Sequence, residues 1–154
     1  NHKNQVCAYS AATGVWTRIG YHCNDDEISI IESNGSFLFI DSYANKVYAY
    51  SIKTGHWSFA KYNSNDSEIS IITSQGSFAF IDNYSNKVYA YSSITGSWSM
   101  VSYDANDSEI VITKSKGAFV FKDSYSNKVN AYSPYKGTWS SIKYGANDES
   151  IIVK

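Results

Sequence analysis

One proline, one methionine and two cysteines among 154 residues remove several kinds of protein at the outset. Two cysteines make no disulfide framework, so a small cystine-knotted scaffold is excluded. The chain has no run of Lys or Arg and a formal charge of -1, which leaves no electrostatic footprint for nucleic acid or for an anionic membrane surface. No apolar run approaches the roughly 20 residues that a membrane helix needs, so membrane insertion is not expected either. Nothing at Asn1 has the character of a signal peptide. Apolar residues never recur at i, i+3, i+4 and i+7 over helical length, and helix is therefore expected to be essentially absent.

What the chain has instead is 14 Tyr, 7 Phe and 4 Trp, with abundant Ser, Asn and Ile. Aromatic and β-branched residues suit strands, and the Ser, Asn, Asp and Gly between them suit turns. The order of these residues repeats. Trp16, Trp57, Trp98 and Trp139 are each 41 residues apart, and Gly14, Gly55, Gly96 and Gly137 keep the same step. The stretch Asn45 to Trp57 returns as Asn86 to Trp98 and Asn127 to Trp139, and more loosely as Asn4 to Trp16. A period in the forties makes the chain an array of similar units.

Within one unit, the segments 68–74, 77–82, 87–92 and 97–103 are rich in Ile, Val, Phe, Tyr or Trp and bounded by turn formers, which predicts four strands, a to d. Gly35, Gly76 and Gly117 mark tight a–b hairpins, and the Gly two residues before each Trp marks a tight c–d hairpin. The longer b–c and d–a connections then share the opposite edge of each sheet. Four antiparallel strands every 41 residues is the arithmetic of a β-propeller blade, with a solenoid of hairpins as the competitor. The expected fold is all-β, a β-propeller or propeller segment of about four repeats. Residues 1–26 would supply strands c and d of a partial blade, 27–67, 68–108 and 109–148 three whole blades, and 149–154 strand a of a closing blade. Strand b of that closing blade is missing, so self-assembly or further repeats stand beside ring closure.

Tyr50…Gly55-x-Trp57 and Tyr91…Gly96-x-Trp98 resemble the c–d hairpin of the kelch-type repeat. The resemblance implies a propeller. The paired glycines that close strand b in that family are replaced here by Asp41-Ser42, Asp82-Asn83 and Asp123-Ser124, so no family function carries over.

The candidate ligand-binding residues are Asp41, Tyr43 and Asn45 and their repeats Asp82, Tyr84, Asn86, Asp123, Tyr125 and Asn127, all in or beside the b–c loops. A ring edged by amide and carboxylate groups suits a sugar or a peptide. The alternative is a Tyr folded back over the blade edge. The d–a loops repeat Asn-Asp-x-Glu, as in Asn65 to Glu68. With Asp41, Asp82 and Asp123 they are read either as caps of backbone N–H groups or as oxygen ligands for Ca²⁺. The tryptophans are read as anchors packing one blade on the next.

Catalysis has little to rest on. His2, His22 and His56 are not equivalent, and near-identical units give each acid the same surroundings instead of separated pKa values. Lys114, Lys116, Lys122, Asn130 and Pro134-Tyr135 depart from the repeat and are a candidate contact surface. Four Asn-x-Ser triplets, at Asn34, Asn65, Asn83 and Asn106, permit an extracellular or cell-surface origin. The function expected is a non-enzymatic module binding a protein or glycan without a cofactor, the alternative being a structural repeat that self-assembles.

Overall fold

The computed structural model describes residues 4–25, 28–66, 68–107 and 110–145. Among them there are fourteen strands and no helix. β1 (Asn4–Ser10) and β2 (Val15–Tyr21) form a two-stranded sheet. The second sheet is β3 (Ile31–Ser33), β4 (Ser36–Asp41), β5 (Lys46–Ser51) and β6 (His56–Lys61). The third is β7 (Ile72–Ser74), β8 (Ser77–Asp82), β9 (Lys87–Ser92) and β10 (Ser97–Ser102). The fourth is β11 (Thr113–Ser115), β12 (Ala118–Asp123), β13 (Lys128–Ser133) and β14 (Thr138–Lys143). Each four-stranded sheet is an antiparallel meander in chain order. The strand a expected at 149–154 lies outside the described residues.

Turn chemistry fixes the register. In the a–b hairpins both central residues have positive φ, 45° and 77° at Asn34 and Gly35, the conformation of a type I′ turn that matches the twist of paired strands. In the c–d turns the N–H of Gly55 donates to Ser51 O at 2.8 Å, and Gly14, Gly96 and Gly137 repeat that bond.

Strand a departs from expectation. Only Ile72–Ser74 of the predicted segment 68–74 pairs with strand b. The reason is packing: Ile69 and Ile71 join the cluster that Leu38, Val47 and Ala49 of the second sheet form with Phe78, Phe80 and Tyr91 of the third, so this segment fills the seam between the two sheets instead of extending the pairing of its own. Strand d ends at Ser102, although the Tyr103 N–H still donates to Asn86 O, at 3.0 Å, one step beyond the Ser102–Lys87 pair, and its ring enters a cluster with Val88 and Phe121.

Because side chains alternate along a strand, each sheet has two unlike faces. One is aromatic and looks back along the chain: Phe78, Phe80, Tyr91 and Trp98 of the third sheet pack on Leu38, Val47, Ala49 and Ala60 of the second. The other is aliphatic and looks forward: Ala79 and Ala90 meet Phe119 and Tyr132, and Val88 and Val101 meet Phe121 and Trp139. Trp98 and Trp139 therefore pack between sheets, as expected of anchors, whereas Trp16 is 69% exposed; Trp139 Nε1 also donates to Ser99 O of the preceding sheet at 3.5 Å. Burial pushes the phenols of Tyr91 and Tyr132 well above the ordinary tyrosine range. Their hydroxyls lie beside Ser51 and Ser92, without hydrogen-bonding geometry. The closest strand approaches between sheets run β2, β6, β10, β14 in chain order.

Candidate functional site

Each sheet is fastened to the next at both ends, and these fastenings decide which loop residues are free to do anything else. At the tight-turn edge, Ser10 Oγ donates to Ile52 O at 2.6 Å, Ser51 Oγ to Ser93 O at 2.5 Å and Ser92 Oγ to Pro134 O at 2.5 Å. The a–b turns add a second bond, from the N–H of Gly76 to Ser33 Oγ and from that of Gly117 to Ser74 Oγ, each 2.9 Å.

At the long-loop edge the fastening is made by carboxylates. Asp41 Oδ2 accepts the N–H of His22 at 2.9 Å, Asp82 Oδ2 that of Asn63 at 2.9 Å and Asp123 Oδ2 that of Asp104 at 3.2 Å. In every case the donor follows strand d of the preceding sheet. The other oxygen of each carboxylate caps its own b–c loop, accepting the N–H of Ala44, Ser85 or Ser126. All three carboxylates are 1 to 2% exposed. A short polar side chain that satisfies two backbone donors in the interior is worth more there than on a surface, since the orphaned donors would otherwise carry their full desolvation cost.

The Asp of each d–a loop does a milder version of the same work. Asp25 accepts from Ser42 Oγ and Tyr43 N–H, Asp66 from Asn83 N–H and Asp107 from Ser124 and Tyr125 N–H. The capping reading thus describes the acidic loops. Among the described residues no three His, Cys, Asp or Glu side chains lie together as a metal would require. Tyr62 and Tyr103 stand beside these acids. Burial first, and then the charges of Asp25, Asp41 and Asp66 at Tyr62, or of Asp66, Asp82 and Asp107 at Tyr103, raise their phenols.

The nine candidate residues therefore divide into two groups. Asp41, Asp82 and Asp123 are buried fastenings. Asn45, Asn86 and Asn127 hold the left-handed backbone of the loop, with φ of 52°, 52° and 50°, and their carbonyls accept the N–H groups of Tyr62, Tyr103 and Tyr144 at 3.0 Å. Asn and Asp tolerate that conformation better than other residues with side chains. Tyr43, Tyr84 and Tyr125 remain, and they are 59, 63 and 64% exposed. Their loops are held by the six aspartates, so the rings sit on fixed backbone at equivalent points of successive blades. His22 stacks on Tyr43 with ring centroids 4.7 Å apart and planes within 8°. The arrangement offers aromatic faces on one edge, with Ser42, Asn83 and Ser124 exposed beside them.

The opposite edge has a feature that sequence reading did not place. A trough of about 280 Å³ crosses the tight turns of three sheets, lined among others by Lys53, Gln75, Ser93, Lys116, Pro134 and Tyr135. Three of these, Lys116, Pro134 and Tyr135, are positions where the fourth sheet departs from the repeat. The departures were visible in the sequence, but their convergence needed the sheets to be set side by side. Of the others, Lys114 Nζ donates to Thr73 O at 2.8 Å and Asn130 is buried, accepting from Ser141 Oγ. Cys7 and Cys23 are exposed, separate thiols.

Fold and edges together define a propeller-type array of four-stranded antiparallel blades with a crown of exposed tyrosines. No family model matches the chain, and no curated protein matches its sequence. Among solved structures it is similar to catalytically inactive virginiamycin B lyase from Staphylococcus aureus with quinupristin, at 17% identity over 94% of this chain and 50% of that one, with a TM-score of 0.44. Selenomethionine-substituted virginiamycin B lyase gives 18% identity, 96% and 54% coverage and a TM-score of 0.44. The computationally designed Ika8 protein gives 15%, 75% and 36%, and 0.40. The chain spans about half the length of the lyase structures it matches.

Proposed function

We propose that the chain is a non-enzymatic binding module that presents Tyr43, Tyr84 and Tyr125 to a protein or glycan partner. The observation that carries this reading is the repeated exposure of a large ring in loops whose every other candidate residue is committed to holding the loop. Exposed aromatics with polar neighbours favour sugar rings or peptide segments, because apolar area and a hydrogen-bonding edge lie side by side. Equivalent sites on one rigid edge gain from effective concentration, so weak individual contacts add up to useful avidity. The reading needs no cofactor and places the module outside the cell or at its surface. The kelch-type likeness belongs to it as well, and is supported by the shared Tyr, Gly and Trp spacing of the c–d hairpin.

A glycan array and an immobilised peptide library, probed with the whole chain, test it. A single Tyr→Ala change is expected to weaken binding about threefold to tenfold, and the triple change Y43A/Y84A/Y125A to abolish it. Thermal stability should stay within about 0.5 kcal/mol per site, as for exposed side chains generally. Undiminished binding by the triple variant would remove the tyrosine crown from the account.

A further inference from the structure

The first sheet lacks strands a and b among the described residues, and its aromatic, backward-looking face is bare. Tyr9 occupies the repeat position of Tyr50, Tyr91 and Tyr132, which are 0 to 2% exposed, yet Tyr9 is 47% exposed. Trp16 stands where Trp57, Trp98 and Trp139 are half-buried, and is 69% exposed. The two rings pack on each other, 5.2 Å apart. At the other end, the forward-looking face of the fourth sheet carries half-buried Ala131 and exposed Ile142 beside Val120 and Val129, which are already 7 and 6% exposed. Ile142 is 69% exposed, whereas its counterpart Ala60 is 5% exposed. Ser133, whose counterparts Ser10, Ser51 and Ser92 are fully buried donors to the next sheet, is only half-buried.

These are the two halves of an interface the molecule already builds three times. Where it is formed, Trp139 packs on Val88 and Val101, and Tyr132 on Ala79 and Ala90. Advancing that pattern by one repeat puts Trp16 on Ile142 and Tyr9 on Ala131, the members of that face that are not already buried. We infer that the bare face of the first sheet docks on the forward face of the fourth sheet of a second copy of this chain, head to tail. By the same step Ser133 Oγ donates to Ala11 O of that copy. The occupant is specified by continuity, since both faces have the shape and chemistry of partners seen within the chain. Such a contact is heterologous, so copies join into a closed ring or an open string according to the rotation between them. The inference is independent of the tyrosine crown, which lies at a loop edge and not on a sheet face.

The test is sedimentation equilibrium on the 154-residue chain and on two variants, Trp16→Lys and Ile142→Lys. Both changes fall on exposed side chains and should leave folding intact, which circular dichroism checks. The wild-type chain is expected to associate with rising concentration. Each variant alone should stay monomeric, its dissociation constant weakened at least about 30-fold, the loss expected for a buried anchor at an interface. Mixed one to one, the two variants should form a heterodimer and stop, because one carries a good first face and the other a good last face. A wild-type chain that remains monomeric at all concentrations would overturn the inference. So would association that Ile142→Lys leaves unchanged, since two first faces would then be meeting each other.

Discussion

Trp98→Ala should destabilise the chain by about 3 to 5 kcal/mol, the range for emptying a large aromatic site in a core. Trp16→Ala, at the same position of the repeat, should cost less than about 1 kcal/mol when both are measured at a concentration where the chain is monomeric. The pair is informative because the two residues occupy the same hairpin position, two residues after a turn glycine, with Tyr91 opposite Trp98 and Tyr9 opposite Trp16 across the hairpin. Their hairpins therefore treat them alike, although Trp98 also meets Phe80 of its own sheet edge-on at 5.6 Å. What differs besides is the sheet behind: Trp98 packs against the cluster of Leu38, Val47 and Ala49, and among the described residues Trp16 has no such neighbour. Urea unfolding followed by circular dichroism gives both numbers. Equal losses at the two positions would mean that the tryptophans act within their hairpins and not between blades.

The second large effect concerns a carboxylate. Asp82→Ala orphans the N–H groups of Asn63 and Ser85 at a site that is 1% exposed. Each stranded donor costs about 1 to 3 kcal/mol, so a loss of about 2 to 5 kcal/mol is expected. Asp82→Asn keeps one acceptor oxygen and should recover roughly half of it. Asp66→Ala, which removes a cap from an exposed loop, should cost about 1 kcal/mol or less, although Asp66 belongs to the more conspicuous acidic motif. Urea midpoints of the three variants check the order. A loss for Asp66→Ala as large as for Asp82→Ala would contradict the division between buried fastening and surface cap.

Much of this architecture was legible from spacing. The 41-residue step, the Ser-x-Gly and Thr-Gly-x-Trp turn signals and the alternation of Phe, Tyr and Val placed strands b and c at the residues where they occur, because those strands are central and their pattern is set by burial on both faces. Strand a was overdrawn for a reason that periodicity cannot express. Ile69 and Ile71 look like strand residues, but they fill the seam between the second and third sheets, so the apolar signal was right and the expected strand pairing wrong. At the candidate site, Asp41 and Tyr43 looked equivalent as loop residues one position apart from Ser42. Only the neighbouring sheet separates them: the His22 N–H satisfies the buried carboxylate, whereas the His22 ring stacks on one side of Tyr43 and leaves that residue 59% exposed. The trough at the opposite edge was unreadable for the same reason: Lys53, Gln75 and Lys116 sit far apart in the chain and meet only when three sheets stand side by side.

The central claim is that consecutive sheets are fastened to one another by backbone donors at the ends of strands and in turns. Amide hydrogen exchange reads it residue by residue. The N–H groups of Asn63 and Asp104 lie past the ends of β6 and β10, and those of Gly76 and Gly117 lie in hairpin turns, so no bond within a sheet protects them. Each donates instead to Asp82, Asp123, Ser33 or Ser74 of an adjacent sheet. They should exchange as slowly as the amides of the central strands β8 and β9. Exchange of these four amides at the rate of exposed loop positions such as Tyr84 would show the sheets to be unfastened, and the account of the array would fail with them.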